Sequence, residues 1–203
     1  QLVQVYNDTN QHTLFLLLSK LSIEVFGQNE IAYRLPSFLL GVISIPLTFQ
    51  LASIIKMPRS SSIAASILMT LSWPHLKYSL EGRGYLLTIF LVLLTMYAAI
   101  RFLDGFRWRW AGVLILTGFV MPMTLPSNLF YLMGLAFFTI LFGGLEQREV
   151  WLRVKKIIRI SIPFLLMFIL IGTYFLIIYE GLKTGKDLHP LILSIDRIES
   201  IAA

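Results

Sequence analysis

Trp73-Pro74-His75-Leu76-Lys77-Tyr78-Ser79-Leu80-Glu81-Gly82-Arg83-Gly84-Tyr85 is a polar stretch set between strongly apolar runs on either side. It holds two cations, a carboxylate, a histidine and three aromatic rings. Charge wedged between segments of membrane-grade hydrophobicity is costly unless it faces headgroups or a water-filled site. Whether these flanks are membrane spans therefore decides both the fold and the place to look for function.

Composition settles the class. The chain has 203 residues, of which 57% are hydrophobic and 14% charged, with a mean hydropathy of +0.77. Soluble domains carry about 25% charged and about 45–50% apolar residues, so the chain is expected to be an integral membrane protein. Its net charge of +6 would suggest nucleic acid in a soluble protein. Here the cations cluster between apolar runs, which topology and anionic headgroups explain better, and no nucleic-acid partner is expected. The absence of cysteine excludes disulfides and thiolate metal sites. The chain starts at Gln1 and ends in a polar tail, and it is read as part of a longer membrane protein.

A bilayer core needs about 20 apolar residues of helix. Residues 35–55 meet that length without a charge, with Pro46 as an expected kink. Residues 61–76 and 86–100 are shorter spans. Residues 111–142 are too long for one straight span, and Pro122 and Pro126 place a turn over 121–128. Residues 160–179 form the last span. Thr13–Phe26 is amphipathic, carries Lys20 and Glu24, and is expected to lie along the interface. The expectation is an all-α, polytopic transmembrane helical bundle of about six spans plus one interfacial amphipathic helix. It divides into a polar segment with that helix (1–33), a transmembrane helical region (34–180) and a loop or tail (181–203).

Charge counting orients the bundle. One side holds ten cations, among them Lys56, Arg59, Arg107 and Arg159, against three acids; the other holds seven cations against eight acids. Cytoplasmic loops are enriched in Lys and Arg, so residues 73–85 are expected on the non-cytoplasmic side. The other unusual polar groups share that side: Asp8 to His12, Glu30 with Arg34, and Thr124, Ser127 and Asn128. A one-sided concentration of this kind suggests a cleft opening away from the cytoplasm.

The ordered set Asn10-Gln11-His12-Thr13-Leu14, Phe26-Gly27-Gln28-Asn29-Glu30, Arg34-Leu35-Pro36-Ser37 and Tyr78 to Tyr85 resembles the multi-span GT-C glycosyltransferases of the protein-mannosyltransferase and aminoarabinose-transferase type, over roughly residues 8–145. The resemblance implies transfer of a sugar from a polyprenyl-phosphate carrier to an acceptor glycan, lipid or protein on the outer or lumenal side of a plasma (inner) or ER-type membrane. It places Gln11-His12-Thr13-Leu14 along the catalytic cleft, Arg34 near the carrier phosphate, and Glu81, Arg83 and Tyr85 in an element touching phosphate and cleft. The family's Asp-Glu-like catalytic pair is absent, which leaves the acid to Asp8 or to sequence upstream. Its Tyr-Thr-His pattern is replaced by Met123-Thr124-Leu125-Pro126-Ser127-Asn128.

The residues fit such chemistry on their own terms. A sugar-phosphate donor is an anion with an apolar tail, so its site needs cations at membrane depth. Arg83 offers a bidentate fork and Lys77 a point charge. Asp8 or Glu81 could take the acceptor's proton, and a divalent metal held by carboxylates with His12 is a further option. Ordinary explanations stand beside these. Lys77 and Arg83 could snorkel at a helix end, Trp73, Tyr78 and Tyr85 could be belt aromatics, and Glu30 with Arg34 has the spacing of an i,i+4 ion pair. His75, after Pro74, is expected to be a packing or interface residue. The rival functions are a lipid or solute transporter and a non-catalytic, truncated membrane homologue.

Overall fold

The computed structural model describes residues 13–145 and 149–183. Asp8 and His12 lie outside the described residues, as does the sequence beyond Lys183. The described residues form eight helices: α1 Thr13–Phe26, α2 Glu30–Ile54, α3 Arg59–Leu71, α4 Trp73–Leu80, α5 Tyr85–Leu103, α6 Trp108–Thr124, α7 Asn128–Leu145 and α8 Val150–Lys183. There is no strand among them. The all-helical membrane fold expected from the sequence is what is observed.

Three helices are each long and apolar enough to cross a bilayer: Glu30–Ile54, Tyr85–Leu103 and Val150–Ile177. Asn128–Gly143 is apolar but shorter, and α3 and α6 have 13 and 17 residues. Where six spans are expected, three described helices have the length and composition of spans, and α3, α6 and α7 are shorter. The short helices still alternate in direction with the long ones, as the contacts between their ends show. Ser37 meets Arg83, Thr88 meets Thr124, and Gly143 faces both Leu103 and Ile160.

Several local expectations shift. The run 61–76 is not one helix. Pro74 cannot donate in the second position of α4, and Ser72 takes extended backbone (φ −64°, ψ 123°), so the chain breaks there and restarts. The break between α6 and α7 is tighter than 121–128, because α6 continues through Pro122 to Thr124. Asn29 sets the start of α2 by accepting from the Ala32 N–H at 2.8 Å. That start puts Glu30 and Arg34 in the first two turns of the helix, at the i,i+4 spacing expected of them.

The main core brings Leu87, Leu91 and Ala98 of α5 against Leu114 and Met121 of α6, Leu132 of α7, and Phe164 and Met167 of α8. Gly118 permits the closest approach. A methyl group there would sit 2.1 Å from Met167 Sδ, so a larger residue would require the Met167 side chain to move. The first helix has the bounds the sequence predicts. It lies along α2, with Ser19 donating to the Tyr33 carbonyl at 3.2 Å, and Phe15 reaches the main core.

Candidate functional site

The quoted stretch forms α4 plus a four-residue turn into α5. Helix α4 ends because Gly82 adopts φ +63°, the left-handed conformation that favours glycine at a helix end. The same glycine is pressed onto the first turns of α2. A methyl group at Gly82 would lie 2.8 Å from Tyr33 Cε1 and 3.2 Å from Arg34 Cγ. Ser37 Oγ, fully buried, donates to the Arg83 carbonyl at 3.3 Å. The Arg34-Leu35-Pro36-Ser37 stretch and the Glu81-Gly82-Arg83 turn therefore form one packed unit, although 46 residues separate Ser37 from Arg83.

The charges of this unit are unequally neutralised. Arg34 pairs with Glu30 one helical turn back. Lys77 Nζ stands 3.5 Å from Glu81 Oε1, again one turn apart, and 6.0 Å from the centre of the Tyr78 ring. Arg83 is exposed and has no carboxylate within ion-pair distance among the described residues. Of the three cations expected at a phosphate, Arg34 and Lys77 are paired and Arg83 has no ion pair among the described residues. The rings of Tyr78 and Tyr85 stack at 4.8 Å, tilted by 37°, and close the turn from the side.

Below the turn lies a buried polar seam. On α2 the residues Ser37, Gly41 and Ser44 share one face at helical spacing, and α4 settles on it. His75 is buried and its Nε2 is 2.9 Å from Ser44 Oγ. Ser44 Oγ in turn donates to the Gly41 carbonyl at 2.7 Å. Ser44 Oγ thus links the His75 ring to the α2 backbone. The packing role expected for His75 is what it has.

A second seam ties the turn to the proline-broken corner. Thr88 donates to the Gly84 carbonyl at 3.3 Å and meets Thr124 Oγ1 at 3.2 Å. Asn128 Nδ2 donates to Thr124 Oγ1 and to the Met121 carbonyl, both at 3.0 Å. Thr124 and Asn128, expected as cleft-side polar groups, are buried and bond to their neighbours, whereas Ser127 is exposed. Among the described residues, no three His, Asp or Glu side chains stand close enough together to hold a metal ion.

The residues brought together are thus Glu30, Arg34, Lys77, Tyr78, Glu81, Arg83 and Tyr85, joined by Tyr33, Ser37 and Gly82. The last three had no expected role, although a glycine between charged residues at a helix end is a recognisable signal for a left-handed cap. The dolichyl-phosphate-mannose-protein mannosyltransferase family matches residues 12–179, which takes in the whole unit. No curated protein and no solved structure matches the chain. With a match over most of its length and three helices fit to cross a bilayer, the chain belongs to the dolichyl-phosphate-mannose-protein mannosyltransferase family and is a membrane glycosyltransferase.

Proposed function

We propose that the protein moves a sugar from a polyprenyl-phosphate carrier to an acceptor hydroxyl, on a glycan, lipid or protein, at the non-cytoplasmic face of a plasma (inner) or ER-type membrane. The observation that carries this reading is the exposed Arg83, which has no ion pair among the described residues, on a turn packed against Tyr33 and Arg34. A guanidinium without a carboxylate of its own keeps its full charge and fork geometry for a phosphate.

In this mechanism the acceptor oxygen attacks the anomeric carbon while the bond from that carbon to the phosphate oxygen breaks. The configuration inverts, and polyprenyl phosphate departs with the electron pair. The leaving phosphate gains negative charge in the transition state, where Arg83 stabilises it most. The acceptor proton passes to a carboxylate, either Asp8 or Glu81. Lys77 holds Glu81 by its side-chain contact, and Arg34, Tyr78 and Tyr85 frame the phosphate. The family resemblance assigns His12 to substrate binding.

Membranes carrying full-length protein, assayed with a radiolabelled polyprenyl-phosphate sugar, test this assignment. A charge-assisted hydrogen bond is worth about 1.5–3 kcal/mol, so Arg83→Ala should lower transfer roughly ten- to hundredfold. Arg83→Lys should recover part of the loss, because a point charge replaces the fork. Glu81→Gln should also reduce transfer. Ordinary turnover in both Arg83→Ala and Glu81→Gln, with normal membrane insertion, would remove this turn from the active site.

A further inference from the structure

The opposite end of the bundle holds cations under a different arrangement. Lys155 Nζ stands 4.8 Å from the centre of the Trp151 ring, and the Arg159 guanidinium 4.5 Å from that of Phe106. Arg109 lies 5.7 Å from the Trp110 ring, and Arg101 lies 5.3 Å from the Tyr97 ring while donating to its hydroxyl at 3.0 Å. Rings orient these four cations without neutralising them. Asp104 and Glu149, the described carboxylates of this end, form no ion pair among the described residues.

Two features show that the arrangement is built. Phe106 is held at φ +51°, a conformation that is a real outlier for a bulky side chain. Its ring packs edge-on against Phe102 at 5.6 Å on one side while carrying Arg159 on the other. Lys155 and Arg159 also sit one turn apart on α8, where like charges repel. Helix α8 has 34 residues, roughly 50 Å at 1.5 Å per residue, against a hydrocarbon core of about 30 Å. Its basic first turns accordingly lie at headgroup level, where exposed Trp151 and Trp108 are also at home.

We infer that this end is a binding site for the phosphate headgroups of anionic bilayer lipids, seated on Arg101, Arg109, Lys155 and Arg159. The site stands apart from the Arg83 turn and does not depend on the transfer reaction. An anionic headgroup relieves the repulsion between these cations, and each cation at an anionic surface is worth roughly fivefold in affinity.

Tryptophan quenching tests the site directly, because Trp108, Trp110 and Trp151 stand within it and Trp73→Phe removes the fourth tryptophan. The full chain carrying Trp73→Phe is reconstituted in phosphatidylcholine bilayers containing a minor fraction of phosphatidylglycerol, with one lipid or the other brominated. Brominated phosphatidylglycerol should quench more per molecule, with a relative affinity of several-fold that shrinks at high salt. Lys155→Gln with Arg159→Gln removes two of the four cations and should cut the preference several-fold; both side chains are exposed, so the fold should tolerate the change. Equal quenching by the two lipids would overturn the inference, as would a preference undiminished in the double variant. Displacement of the brominated lipid by millimolar glycerol phosphate would also overturn it, since the ligand would then be a soluble phosphate compound.

Discussion

At the residue scale, Gly82 carries more of the site's geometry than any charged group beside it. It ends α4 at positive φ and lets the turn sit against Tyr33 and Arg34. An L-residue in the left-handed region costs roughly 1–2 kcal/mol, and a methyl 2.8 Å from the Tyr33 ring forces either ring or turn to move. Gly82→Ala should therefore impair sugar transfer while leaving every charged side chain in place. Ser37→Ala removes one hydrogen bond to the Arg83 carbonyl, worth about 1 kcal/mol, and should be milder. Donor titrations in membranes compare the two, and equal, wild-type affinities would show that the turn is positioned by something else. Both positions are hard to value from sequence, because each acts through a contact with chain far away in order. The charges Arg34, Lys77, Glu81 and Arg83 were legible because charge is conspicuous between apolar runs. Which of them is already paired became visible only once Glu30 and Glu81 were placed.

At the element scale, the break at Ser72 and the small-residue face of α2 explain why a short helix fits between two spans. A continuous helix over 61–76 would carry His75 along with the preceding span. Pro74 restarts the chain, and α4 settles instead on Ser37, Gly41 and Ser44. The proline was plain in the sequence, but its consequence depended on what α2 offered to the displaced segment. The corner at Pro122 shows the converse. Pro122 is expected to interrupt the helix, yet α6 continues through it to Thr124, and Asn128 bonds the Met121 carbonyl at the true corner. Gly41 tests the docking. A methyl there would lie 2.5 Å from Ser79 Oγ and 3.0 Å from Leu86 Cδ2, so Gly41→Val should push α4 off its seat. Overpacking of this kind costs about 1–3 kcal/mol. Thermal denaturation in detergent should show a lower midpoint than the wild type, and an unchanged midpoint would mean that α4 is not held by this face.

At the scale of the whole molecule, the two ends differ in how charge is balanced, and that difference specifies orientation. The end bearing Glu30, Gly82 and Thr124 pairs Arg34 and Lys77 with carboxylates one turn away, leaving Arg83 without an ion pair among the described residues. The end bearing Lys56, Phe106 and Val150 leaves Arg101, Arg109, Lys155 and Arg159 on aromatic rings. An excess of positive charge near span ends is retained in the cytoplasm, so the basic end should face inward and the Arg83 turn outward. The chain contains no cysteine, which permits a clean measurement. Ser127 is exposed at the corner between α6 and α7, and Gly105 is exposed in the turn between α5 and α6. A cysteine at Gly105 would meet no neighbour within 4 Å, and its left-handed backbone (φ +82°) adds a strain of about 1–2 kcal/mol. In intact cells or sealed vesicles of known sidedness, a membrane-impermeant maleimide should label Ser127→Cys from the non-cytoplasmic side. Gly105→Cys should be labelled only after the membrane is opened. The reverse pattern would place the Arg83 turn in the cytoplasm and refute the outward-facing site, whereas labelling of both from one side would break the alternation of helices on which the bundle rests.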